Sequence, residues 1–192
     1  MINTNDVTSP LSETKDLTTD QTWTDLSKKT NVGGIKFSGS LGLGVDTSTS
    51  TVALINSGGY PDQKVTAVMR YSSPTTAGSE EIGVMLRILT LDGTDDTYYY
   101  ARVDGGIAKL TRVLNESFTN LSTQAFALAQ DTDVTITFSA VGNTLSASFD
   151  AGGTPATVNL AVSDDQIAHR GLLGIRSLSS TFWCSSVAWE QL

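Results

Sequence analysis

"VTITFSAVGNTLSASF", residues 134–149, decides the fold class. Gly142-Asn143 separates two runs in which apolar and hydroxylated residues alternate. Gly followed by Asn suits a two-residue type II′ turn, whose backbone twist matches that of the strands it joins. Centring the turn there pairs Phe138 with Ala147 and Ile136 with Phe149. Val134, Ile136, Phe138, Ala140, Leu145, Ala147 and Phe149 then share one face. Thr135, Thr137, Ser139, Ser146 and Ser148 share the other. One apolar face and one solvated face is the pattern of an antiparallel sheet lying on a core.

Working outward, seven more stretches read as strands: VTAVMRY (65–71), GVMLRIL (83–89), YYYARV (98–103), IAKLTRVL (107–114), TVNLAV (157–162), LLGIR (172–176) and SVAW (186–189). Gly, Asn and Asp punctuate them at short intervals, which signals a sandwich or barrel. Gln124–Gln130 (QAFALAQ) alone hints at a helix.

Length and composition agree. A chain of 192 residues with 39% hydrophobic and 17% charged residues suits one folded β domain. The net charge is −8 and Lys and Arg form no cluster, which disfavours nucleic acid as a partner. A single cysteine, Cys184, excludes an intrachain disulfide, and with no base in evidence it reads as a buried structural thiol. The single histidine, His169, leaves little from which to build a His-rich metal site or a triad. No apolar stretch approaches the roughly 20 residues of a membrane span. Residues 1–21 are polar and read as an N-terminal arm, docked on another chain or added as a strand to its own sheet. Residues 22–192 form the domain. The N-terminus has neither the basic start nor the apolar core of a secretory signal.

A second hairpin concerns the tyrosine run TYYYARV (97–103). A turn centred between Gly93 and Thr94 pairs Arg87 with Tyr100, Met85 with Arg102 and Leu89 with Tyr98. Val84, Leu86, Ile88, Tyr99, Ala101 and Val103 then form a core face. Met85, Arg87, Leu89, Tyr98, Tyr100 and Arg102 form an outer face. A slip by one residue would mix the sets and bury a charge.

In this order the strands resemble the concanavalin A-like lectin/glucanase superfamily, in its laminin-G-like branch, over residues 22–192. The matching features are Gly83 with Arg87, the Tyr98–Tyr100 strand, the Gly142–Leu145 hairpin, and Asp165 with Gly171, Gly174 and Ile175. The resemblance implies an all-β, two-sheet antiparallel jelly-roll sandwich, here with an extended N-terminal arm. These motifs are patterns of structure rather than chemistry.

Glucanases of that superfamily place paired carboxylates at alternate positions of one strand, where they flank a glycosidic bond. Here Glu80-Glu81 are adjacent and point to opposite faces, and Asp131 and Asp133 precede a strand. A glycoside hydrolase is therefore the least favoured reading, and no enzyme activity is expected. Some modules of the family bind calcium through loop carboxylates. The candidates are Asp92, Asp95, Asp96 and Asp104 around the tyrosine strand, and Asp164-Asp165, although Asp-Gly is ordinary turn chemistry. No other cofactor is expected. The Gly-rich SGSLGLG (38–44) reads as a strand edge or loop rather than a phosphate cradle.

Arg87, Tyr98, Tyr100 and Arg102 are the candidate ligand or interface residues. Aromatic rings stack on sugars and arginines bind hydroxyls or carboxylates, but Arg–Tyr pairs also cover sheets for purely structural reasons. Laminin-G-like modules mostly work outside cells. The lack of a signal therefore points to a bacteriophage virion component, assembled in the host cytoplasm. It would be a non-enzymatic capsid decoration or tail/fibre accessory protein, with host-surface glycans as ligands. Its partners would be other virion proteins, or itself as a homo-oligomer, reached through the arm, with no membrane involved. The alternative is a free-standing carbohydrate-binding lectin module.

Overall fold

The Gly142-Asn143 turn forms where expected. Gly142 has φ 51°, as the first central residue of a II′ turn requires. Phe138 lies opposite Ala147 and Ile136 opposite Phe149. All seven residues assigned to the apolar face of this hairpin are buried.

The computed structural model describes residues 12–16, 36–38, 42–45, 51–55, 61–74, 81–90, 95–151, 157–168, 170–178 and 180–192. Among them are fourteen strands and no helix. The strands are β1 (Ser12–Asp16), β2 (Lys36–Ser38), β3 (Gly42–Val45), β4 (Thr51–Ile55), β5 (Gln63–Pro74), β6 (Glu81–Thr90) and β7 (Thr97–Asp104). They continue with β8 (Ile107–Leu114), β9 (Ser117–Ala125), β10 (Val134–Val141), β11 (Thr144–Asp150), β12 (Thr157–Ser163), β13 (Leu172–Leu178) and β14 (Ser180–Gln191).

They build two antiparallel sheets. One has eight strands in the order β12-β11-β10-β5-β14-β3-β2, with β1 also paired to β14; the other has six, in the order β4-β13-β6-β7-β8-β9. Ser12–Asp16, within the polar arm, thus runs as a strand along β14 of its own chain. Gly42 to Gly44 of the Gly-rich stretch lie in β3. The inner faces of the two sheets meet in one core that includes Val65, Met69, Val84, Tyr99, Phe138 and Phe149.

Two expectations are corrected. Gln124–Gln130 is not helical: Gln124 and Ala125 end β9, and the chain then runs extended. Phe126 and Leu128 enter the core while their neighbours stay exposed, so burial here has a period of two. The second correction is the β6–β7 register. Met85 faces Tyr100 and Gly83 faces Arg102, two residues away from the expected pairing, and the register shifts between Leu86 and Thr90. Thr90 and Thr97 are paired as a turn at Gly93–Thr94 requires, although that turn lies outside the described residues. The cause is a β-bulge around Arg87, which has φ 52°. The core face is as expected through Leu86. Beyond the bulge Ile88 joins the apolar cluster on the other side of the sheet.

Two motif glycines follow from close packing rather than from turns. A Cβ at Gly83 would come within 2.8 Å of both Arg102 Cα and Tyr100 Cε2. A Cβ at Gly171, where φ is 128°, would come within 2.7 Å of the carbonyl carbon of Arg87 in the bulge.

Candidate functional site

The bulge removes Arg87 from the tyrosine face. Its side chain is fully buried and reaches the end of the eight-stranded sheet. Nε and Nη2 donate to Pro61 O at 3.2 and 3.1 Å, and Nη2 also donates to Gly142 O at 2.7 Å. Burial lowers the pKa of this guanidinium, with the Asp62 carboxylate opposing the shift. Arg87 is a clasp between the sheets, because a buried cation needs carbonyl acceptors and the bulge aims it at them. Tyr99 and Asp164 make a second clasp nearby. The Tyr99 hydroxyl donates to Asp164 Oδ1 at 2.6 Å, and Arg112 Nη1 donates to Asp164 Oδ2 at 2.7 Å. The anchoring carboxylate is thus Asp164, while Asp165 at the motif position accepts from the neighbouring Gln166.

Tyr98, Tyr100 and Arg102 do lie on the outer face of the six-stranded sheet, but that face is not open. Both tyrosines are fully buried and Arg102 nearly so. Their rings meet edge-on with centroids 6.2 Å apart. The guanidinium of Arg176 lies 5.7 Å from each ring centroid. Arg102 pairs with Glu81 and lies 5.6 Å from the Tyr100 centroid. Phe118 from β9, itself 49% exposed, packs over both arginines at 5.7 and 5.8 Å. Desolvation pushes the Tyr100 hydroxyl pKa well up, so it stays a neutral donor, to Arg176 O at 3.1 Å. Internal partners occupy these groups, and the cluster reads as structural cover.

Among the described residues the candidate carboxylates Glu81 and Asp133 are held in ion pairs. Glu81 is buried against Arg102, and Asp133 is bound by Arg70 Nε at 2.7 Å. The calcium candidates are not brought together. Asp95 and Asp96 precede β7 and Asp104 ends it, a strand length of about 26 Å away. Asp104 is held by Lys109 Nζ at 2.7 Å. Among the described residues no cluster of three or more His, Cys, Asp or Glu side chains is poised for a metal. Asp92, His169 and Glu80 lie outside the described residues. Cys184 is buried, and desolvation raises its thiol to about 12, which keeps it protonated and unreactive at neutral pH.

The other outer face is different. On the eight-stranded sheet the residues facing away from the core line up across the strands. One row runs Ala188, Thr66, Thr137, Ser148, Asn159. The next runs Glu190, Lys64, Ser139, Ser146, Ala161. Thr66 and Thr137 share a hydroxyl–hydroxyl bond of 3.1 Å, and Lys64 pairs with Glu190 at 2.6 Å. These side chains are short, so β10, β11 and β12 carry a shallow trough of about 310 Å3. Thr137, Ser139, Ser146, Ser148, Asn159 and Ala161 line it. Hydroxyls both donate and accept, so the trough suits a polyhydroxylated ligand.

No family model and no curated protein sequence matches the chain. Solved structures do match it, end to end. A carbohydrate-binding module, CBM66 from Bacillus subtilis, superposes with a TM-score of 0.70 at 14% identity, over 87% of this chain and 96% of that one. The fold is the concanavalin A-like jelly roll. The CBM2 module of the evolved Dit of Lactobacillus casei BL23 phage J-1 shares it with a TM-score of 0.60 at 11% identity, covering 94% of this chain and 96% of that one. So does the apo Crh5 transglycosylase, with a TM-score of 0.64 at 15% identity over 95% of this chain and 85% of that one. At these identities the jelly roll is what is shared, and it carries binding modules and an enzyme alike.

Within this jelly roll the hydroxylated row was visible in the sequence as the polar half of the 134–149 hairpin. It drew less notice than the tyrosines because single Ser and Thr residues carry no site signal. Their alignment across four strands appears only once β5 and β12 are in place beside the hairpin.

Proposed function

We propose that this chain is a non-enzymatic glycan-binding β-sandwich that holds its ligand on the outer face of the eight-stranded sheet. The observation that carries the reading is the open trough over β10, β11 and β12, where the hydroxyls of Thr137, Ser139, Ser146 and Ser148 and the Asn159 amide stand among apolar surface from Ala147, Leu160 and Ala161. Several convergent polar groups in a concave surface are what an orientation-specific sugar contact needs. Binding without hydrolysis is favoured because glycosidases flank the bond with two carboxyl groups. No residue lining the trough has one.

The setting we favour is a virus particle, with the module as a decoration or tail/fibre accessory. What supports it is the whole-chain likeness to a module of a phage Dit. Capsid or tail genes beside the coding gene would agree with this. Sugar-metabolism genes in their place would favour a free-standing lectin.

Affinity electrophoresis through gels containing a soluble β-glucan, fructan or rhamnan tests the binding. The parent is expected to be retarded by at least one of these. The double variant Ser146→Arg, Ser148→Arg fills the trough and is expected to lose at least tenfold in affinity. Its stability should change by only about 0.5 kcal/mol per site, as is usual for surface positions. Equal retardation of parent and variant would place the sugar elsewhere.

A further inference from the structure

We infer that Trp183, with the Arg70–Asp133 pair, is the aromatic anchor of an extended, uncharged oligosaccharide that runs from there to the trough. This rests on the glycan-binding reading above and assigns it a second subsite and a ligand class.

Phe182 and Cys184 on either side of Trp183 enter the core, so the indole points to the outer face of the eight-stranded sheet. It is only partly buried there. Trp183 lies opposite Arg70 on one side and Gly44 on the other. On the Gly44 side no side chain of the paired residue covers the indole. Arg70 Nε donates to Asp133 Oδ1 at 2.7 Å, with the two side chains 31% and 52% exposed. That hydrogen bond raises the Arg70 pKa, and the pair presents a polar edge beside the indole. A register shift between Cys184 and Ser186 adds a residue to β14 next to Trp183. Bulges of this kind re-aim side chains.

A flat apolar ring that is partly exposed, next to a polar pair, matches the two sides of a sugar: C–H groups over the ring, hydroxyls toward the charges. The residues between Trp183 and the trough, Val68, Thr66, Thr135 and Thr137, are small or hydroxylated, so no bulky side chain blocks the path. The span, three strands across and four residues along, is roughly 20 Å, which requires an oligosaccharide rather than one sugar. Among the described side chains on this face the cations Lys64 and Arg70 are both paired, with Glu190 and Asp133. On a chain of net charge −8 this favours an uncharged ligand.

The test compares Trp183→Ala and Trp183→Phe with the parent in the same β-glucan, fructan and rhamnan gels. Trp183→Ala is expected to lose at least tenfold in affinity, and Trp183→Phe, which keeps a flat ring, to stay within about threefold. A second measurement uses the unsubstituted sequence: 19F NMR of 5-fluorotryptophan-labelled protein, with the Trp183 resonance identified by its loss in Trp183→Phe. That resonance is expected to shift when the retarding polysaccharide is added. Unchanged affinity in Trp183→Ala, or an unmoved Trp183 resonance in a bound complex, overturns the inference. If the trough variant alone loses binding, the glycan reading stands and the anchor fails. If the parent is not retarded at all, both fail.

Discussion

Gly83→Ala is expected to cost about 3 kcal/mol or more, a large share of the roughly 5–15 kcal/mol of an ordinary domain's stability. The added methyl would press on backbone, within 2.8 Å of Arg102 Cα, and on the ring of a fully buried tyrosine. Neither can yield without separating β6 from β7, since Gly83 and Arg102 are direct partners in the ladder. Overpacking against a side chain alone costs less, because a rotamer can change. A urea unfolding curve measures the loss. A shift under 1 kcal/mol would mean that β6 and β7 are not paired in this register.

Arg87→Leu is the second large effect, expected at about 3 kcal/mol. The substitution leaves Pro61 O and Gly142 O without their donor at a buried site. Arg87→Lys keeps the charge but not the fork, and an intermediate loss is expected. If Arg87 instead stood on the outer face beside Tyr100, leucine there would be nearly neutral, so the experiment separates the two registers.

These two positions also mark how far the sequence could be read. The Gly142-Asn143 hairpin was legible to the residue pair, because a two-residue turn fixes register and one alternating face was clearly apolar. The core face of β6 and β7 was legible for the same reason through Leu86. The bulge was not, since its cause lies far along the chain: the acceptors on Pro61 and Gly142. Strand β9 escaped notice because its residues are mostly exposed and show no alternation. Its turn, Asn115-Glu116 with φ 49° and 62°, places a glutamate where glycine is the usual signal.

For the tyrosines the sequence left two readings of the outer face open, a ligand or interface surface and structural cover, and Arg176, Arg102 and Phe118 pack over that face. Arg176 comes from β13, and its place beside Tyr98 depends on pairing between β13 and β6. The hydroxylated face carries no conspicuous residue along one strand, and its order appears only across strands.

The most direct test of a glycan site on that face is an NMR titration with an oligosaccharide cut from the polysaccharide that retards the protein. Amide shifts are predicted to concentrate at Thr66, Thr137, Ser146, Ser148 and Asn159, with Tyr98, Tyr100 and Arg102 unmoved. Shifts centred on the tyrosine strand, with the β10–β12 face silent, would contradict the account.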